Sequence, residues 1–189
     1  MRKLVLSMGV SLDGLVARPA RSEAGGWGLP PEDPALKERK LGWMNDVGLH
    51  LMGRNTYEEM TAFWPVSDDP YAAPMNEIPK VVFSRTLERA EWPDSQIARG
   101  DLAQEIATLK REPGKDMLAW GGAALAQSLS RLGLVDEYRL ILQPVALGEG
   151  LPLFQDLTAP LRLELVDAQT YPTGATLHIS RPAPPAART

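Results

Sequence analysis

The chain opens on an apolar run, Leu4 to Val10, that closes at Ser11-Leu12-Asp13-Gly14. A run of that length ended by an Asp-Gly turn predicts a buried strand. Short apolar stretches at Val47–Met52, Lys80–Ser84 and Asp116–Trp120 predict three more. Between them the period lengthens. Pro34 opens a predicted helix over 35–46, with Leu36, Trp43, Met44 and Val47 on one side, and 56–63 predicts a short one. Asp101 is a good N-cap for a helix reaching about Glu112, with an apolar stripe of Leu102, Ile106 and Leu109 and a stop at Pro113-Gly114. Residues 122–132 predict a helix whose Leu125, Leu129 and Leu132 are spaced four and three before Gly133.

The last third carries strands only. They are predicted at Glu137–Val145, Leu161–Thr170 and Ala175–Ser180, the last two alternating apolar with polar and joined through Pro172-Thr173-Gly174. Two stretches are predicted loops. One runs from Arg18 to Pro34 and contains Gly25-Gly26-Trp27-Gly28; the other is the Pro-rich Trp64–Pro79. A loop as long as the first is often functional. Strand–helix alternation over the first two-thirds predicts a largely parallel sheet covered on both faces. The strands that follow add antiparallel pairing at one edge, including a terminal hairpin. Residues 1–181 form one expected α/β domain, without repeat or linker, and 182–189 a Pro/Ala-rich tail that frays.

Composition narrows the chemistry. The 189 residues suit one core, and with no Cys the chain has no disulfide, thiolate–metal or thiol chemistry. Two histidines, His50 and His178, make a His-rich metal site unexpected. His50 reads as a satisfied, partly buried strand residue, and His178 alternates with Leu177 and Ile179 and so points to solvent. A net charge of −4 argues against a nucleic-acid binder. Arg2-Lys3 before an apolar run faintly resembles a signal peptide, but Asp13-Gly14 interrupts it and a first strand is the expectation. No apolar run approaches the about 18 residues of a membrane helix, so the protein is expected to be soluble, cytoplasmic and without a membrane partner.

Three predicted strand-to-helix junctions could hold an anion. Gly53-Arg54-Asn55-Thr56 combines free backbone N–H groups, a positive helix end and a guanidinium. Ser84-Arg85-Thr86 brackets a fixed cation with two hydroxyls. Gly121-Gly122-Ala123-Ala124 is small enough for a pyrophosphate to approach the backbone at a helix start. In a parallel sheet all three reach the same edge, where ligands bind, and together they suggest a dinucleotide with a further phosphate. The chain has no G-x-G-x-x-G run, which disfavours an ordinary Rossmann domain.

From about residue 3 to residue 180 the chain resembles the dihydrofolate reductase superfamily, and within it the reductase domain of riboflavin-biosynthesis deaminase–reductases in stand-alone form. The residues that carry this are Ser11-Leu12-Asp13-Gly14, Met52-Gly53-Arg54-Asn55-Thr56-Tyr57-Glu58, Phe63-Trp64-Pro65, Met75-Asn76 and Pro79 to Leu87. Gly121-Gly122, Val135-Asp136-Glu137, Pro144-Val145, Leu147-Gly148, Gly150 and Leu153-Phe154 continue it in order.

The resemblance implies a dihydrofolate-reductase-like three-layer fold, NADPH as cofactor and hydride transfer to a small planar heterocycle, pterin-, flavin- or pyrimidine-like. By it, Gly53, Arg54, Asn55 and Thr56 hold cofactor phosphates, with Arg54 favouring the 2′-phosphate. Ser84, Arg85 and Thr86 take the adenosine end, Gly121, Gly122, Ala123 and Ala124 the pyrophosphate, and Gly9, Val16 and Ala17 the nicotinamide side. Trp27-Gly28-Leu29-Pro30-Pro31-Glu32-Asp33 echoes the loop that precedes the reductases' carboxylate, which makes Glu32 or Asp33 the candidate catalytic group. Asp33 before Pro34 is equally an N-cap followed by Pro at the first helical position. Trp43, Tyr57 and Trp120 are the candidate pocket aromatics; each also suits a core.

The chain departs from the riboflavin-type pattern in two places. Trp120 stands where an acidic residue precedes the Gly pair, and Leu15-Val16-Ala17 replaces basic and hydroxyl residues after the turn. A dihydrofolate or riboflavin-precursor reductase proper remains one alternative. A non-catalytic nucleotide-binding protein that kept the cleft is the other. Asp13 reads as a turn residue. A homodimer is expected from the resemblance and from the edge strands of the last third.

Overall fold

The computed structural model describes residues 1–17, 29 and 31–184. The Gly25–Gly28 run with Trp27, Pro30 and the end of the tail (185–189) lie outside the described residues. One eight-stranded sheet organises the chain, in the order β5-β4-β3-β6-β1-β7-β10-β9. The strands are β1 Leu4–Ser11, β2 Leu15–Ala17, β3 Val47–Gly53, β4 Lys80–Phe83, β5 Ser95–Ala98, β6 Asp116–Ala119, β7 Glu137–Gln143, β8 Leu151–Pro152, β9 Leu163–Thr170 and β10 Thr176–Pro182. From β5 to β7 every pairing is parallel; β10 pairs antiparallel with both β7 and β9. Within this sheet the antiparallel pairings thus begin at β7, which joins β1 in parallel and β10 antiparallel. β2 and β8 form a separate pair.

Helices cover both faces. They are α1 Pro34–Met44, α2 Arg54–Phe63, α3 Ala72–Glu77, α4 Leu102–Arg111 and α5 Ala123–Arg131. On one face Ile106 of α4 and Leu125, Ala126 and Leu129 of α5 pack on Leu4, Leu6, Leu51 and Met117. On the other, Tyr57 of α2, Met75 of α3 and Met44 of α1 pack on Val5, Met52, Val82 and Leu118. Leu36 and Trp43 of α1 sit on Ile141, Leu177 and Ile179 of β7 and β10. Alternation along each strand sends successive residues to opposite faces, which is why every central strand is apolar on both sides.

The expected Pro-rich loop 64–79 is corrected: it holds a 3-10 turn, Trp64–Val66, and α3. Pro74 is tolerated because it stands in the first turn of α3, where its missing N–H has no helical acceptor. β9 also departs from expectation. Its sequence alternates, yet nearly all of it is exposed, with Leu165 at 60% and Val166 at 48%, because it is the outermost strand. The last strand runs to Pro182, and the Ala183 N–H donates to Arg162 O at 2.9 Å. Among the described residues no helix is long and apolar enough to cross a membrane.

Candidate functional site

The parallel strands end at one edge of the sheet, and the three junctions meet there, although the one at Ser84–Thr86 is corrected: it opens a loop from β4 to β5 and no helix. Arg54 donates from Nη1 to Thr86 Oγ1 at 2.9 Å and from Nε to Glu58 Oε1 at 2.7 Å. That hydrogen bond joins the start of α2 to the loop after β4. A Cβ built on Gly122 would lie 2.8 Å from Thr56 Oγ1, so the turn before α5 lies against the first turn of α2. Gly121 and Gly122 both have positive φ, +89° and +77°, a backbone that side chains with a Cβ rarely adopt.

Side chains cap two of the five helices, α1 and α4; α3, whose N-cap is Tyr71, begins without one, as do α2 and α5. Asp33 caps α1, accepting from the Ala35 and Leu36 N–H groups, and Asp101 caps α4, accepting from Gln104. The N-caps of α2 and α5 are Gly53 and Gly122, and neither supplies a side-chain hydrogen bond. The two helix starts lie against each other at Thr56 and Gly122, and a helix start without a side-chain cap suits an anion.

One position near the end of β1 is uncovered among the described residues. Gly9 is exposed although β1 lies in the middle of the sheet, and a Cβ there would meet nothing within 4 Å among the described residues. Val16 and Ala17 follow the turn at the end of β1, in β2. The turn is held by Asp13, which accepts from Ser11 Oγ at 2.6 Å, Gly148 N at 2.8 Å and Leu147 N at 3.1 Å. The Ser11 bond and then the Gly148 bond hold its carboxyl down at about 2. Asp13 thus braces the turn.

In the loop after β4, Ser84 Oγ accepts from Leu87 N at 2.9 Å and Thr86 N at 3.3 Å, while Arg85 and Thr86 are exposed. Arg99, just beyond β5, donates to Arg85 O at 3.2 Å and braces the same loop. It was not legible as a site residue because β5 is too short and mixed to be recognised. Asn55, Ala123 and Ala124 lie in the first turns of α2 and α5.

The two candidate carboxylates both have partners within the chain. Asp33 is buried and capped onto α1. Glu32 accepts from Lys40 Nζ at 2.6 Å and from the Tyr71 hydroxyl at 3.1 Å. Asp33→Ala is expected to cost about 1 kcal/mol of stability through the lost cap, measured by urea unfolding, with ligand binding unchanged.

Tyr57 is corrected. It is 3% exposed, and its hydroxyl accepts from Trp92 N at 2.9 Å, so it is a core residue. Trp43 packs in the cluster under α1, 4.6 Å from the Arg139 guanidinium.

Trp120 is half-buried beside the Gly turn. It follows Ala119, whose partners are Leu6 and Leu51, and so comes level with Ser7 and Met52. Its Nε1–H donates to His50 Nδ1 at 2.9 Å. An indole N–H only donates, so Nδ1 carries no proton and the ring is the Nε2–H tautomer, donating to Pro74 O at 3.3 Å. Burial, with the Lys80 charge in the same direction, pulls the His50 pKa down to about 4.

Known proteins share this architecture. The family model "RibD C-terminal domain" matches residues 2–177. A relative, protein YyaP of Bacillus subtilis (strain 168), is 31% identical over 180 residues, 92% of this chain and 91% of that protein, and is uncharacterised. A solved structure from Shewanella sp. PV-4, of a protein named for riboflavin biosynthesis, superposes with a TM-score of 0.77 at 24% identity. It covers 96% of this chain and 99% of that one. Dihydrofolate reductase from Enterococcus faecalis, solved with NADP(H), superposes with a TM-score of 0.62 at 14% identity, covering 96% and 97%.

Proposed function

The chain belongs to the RibD C-terminal domain family, reductases with the dihydrofolate reductase fold, and from that premise we propose that it binds NADPH and reduces a small planar heterocycle. One observation carries this reading: three junctions converge at one sheet edge, with Arg54 bonded to Thr86 and Thr56 against Gly122. The residues present suit a dinucleotide phosphate. The Gly121-Gly122 turn offers backbone that a Cβ would obstruct, and two uncapped helix starts offer N–H donors.

When bound, the cofactor supplies a hydride. The chain's own residues bind and orient: the α2 and α5 first turns take phosphate oxygens, and Arg54 with Thr86 takes the 2′-phosphate. Glu58 accepts from Arg54 Nε and orients the guanidinium. Arg54→Ala is expected to weaken NADPH binding about tenfold and leave NADH nearly unchanged, the loss of a charge-assisted hydrogen bond. Titrations of both dinucleotides check it, and an equal loss for the two would contradict it.

The uncovered position at Gly9 is where a flat ring would lie, with a pterin-, flavin- or pyrimidine-like acceptor receiving hydride at C=N or C=O. The proton that balances the hydride comes from solvent, directly or by way of Glu32 or Asp33. The hydrogen bonds that hold these two carboxylates favour a second reading, a nucleotide-binding protein without turnover. One assay separates them. NADPH oxidation in the presence of pterins, quinazolines or pyrimidines supports the reductase, and binding without oxidation across those acceptors supports the second reading.

We also propose a homodimer, supported by the exposed apolar outer strand β9. Light scattering on the eluted protein tests it, and a mass of 20.7 kDa, the single chain, would contradict it.

A further inference from the structure

We infer that His50 is a positioning residue for the cofactor cleft, acting through the indole of Trp120. The inference rests on the reductase reading above. Trp120 is the residue immediately before the Gly121-Gly122 turn, and its backbone N–H is fixed on Leu51 O at 3.1 Å. Its side chain has one polar group, and that group is tied to His50. The two rings are 5.7 Å apart and tilted by 57°, so a hydrogen bond rather than stacking sets the indole's angle.

His50 is itself held in a rigid frame. It is fully buried, and its other nitrogen is tied to Pro74 O in α3. The same short helix is anchored by Lys80, whose ammonium donates to Asn76 O and Ile78 O, both at 2.8 Å. Asn76 adds two more ties, donating to Trp64 O at 3.0 Å and accepting from Trp92 Nε1 at 2.8 Å. These contacts leave His50 little freedom, and Trp120 inherits its orientation from them. An apolar residue at position 50 would fill the space but leave the indole N–H without its acceptor and the ring free to rotate beside the Gly turn. His50 touches neither cofactor nor substrate in this account; its effect passes through Trp120.

The test combines NADPH titration with the NMR signal of the Trp120 indole N–H, identified by its loss in Trp120→Phe. His50→Leu is expected to move that signal and weaken NADPH binding about tenfold. His50→Asn places an amide oxygen near the position of Nδ1 and is expected to restore binding to within about threefold. Trp120→Phe alone is expected to match His50→Leu, and adding His50→Leu to it to change binding no further. A folded His50→Leu that moves the indole signal yet binds NADPH like the wild type overturns the inference. Should His50→Leu fail to fold, wild-type affinity in Trp120→Phe overturns it equally. Failure of the wild type itself to bind NADPH overturns the reductase reading, a separate outcome seen before any variant is compared.

Discussion

Gly122→Ala is expected to destabilise the protein by about 2–3 kcal/mol and to weaken NADPH binding at least tenfold. Two causes act together. The backbone there has φ +77° and ψ 120°, outside the region a residue with a Cβ occupies comfortably. The new methyl would also stand 2.8 Å from Thr56 Oγ1, closer than carbon and oxygen tolerate. Thr56 is branched at Cβ and has few rotamers to retreat into, so the first turn of α2 must shift. Both the phosphate turn and the helix end opposite it are then displaced. Urea unfolding reads the first effect and NADPH titration the second. A variant with wild-type stability and affinity would show that the turn does not carry the conformation described.

Acidification from pH 6.5 to pH 4 is expected to remove roughly 3 kcal/mol of stability through His50. The folded-state pKa is depressed to about 4 from the ordinary 6.5. Above pH 6.5 neither state binds the proton and the stability is complete. Below it the unfolded chain takes up a proton that the folded chain refuses, because the ring is buried, Lys80 lies close, and Nδ1 is occupied by Trp120. Stability therefore falls with pH until His50 protonates in the folded state near pH 4. Paired carboxylates such as Asp69 and Asp167 are held below their ordinary values and lose their contribution in more acid solution. Comparing wild type with His50→Asn isolates the histidine. Urea unfolding between pH 4 and pH 7 should give a slope in the wild type that the variant lacks, and parallel profiles would contradict the assignment.

The local parts of the fold were legible because their signals are local. Asp101 and Asp33 announce their helices by a cap, and the apolar runs at β1, β3, β4 and β6 announce a parallel sheet by length and composition. Short, mixed elements were not legible: α3 carries a proline, and β5 holds one large apolar side chain, Ile97. The exposure of β9 depends on its rank in the sheet, which alternation along one strand does not encode.

The site divides the same way. Gly53, Arg54, Gly121 and Gly122 could be read as ligand-ready because strand ends of a parallel sheet share an edge. Tyr57 could not be placed, since its partner Trp92 is 35 residues away, and of the two partners of Glu32 only Lys40 is near in sequence, with Tyr71 39 residues off. The His50–Trp120 bond spans 70 residues and has no sequence signature at all.

Titration of the purified protein with NADPH, NADH and NADP⁺, followed by tryptophan fluorescence, shows whether the cleft at Gly53, Arg54 and Gly122 takes the dinucleotide. Saturable binding that quenches Trp120 emission and depends on the 2′-phosphate is the predicted result. Absence of binding by all three dinucleotides would contradict it.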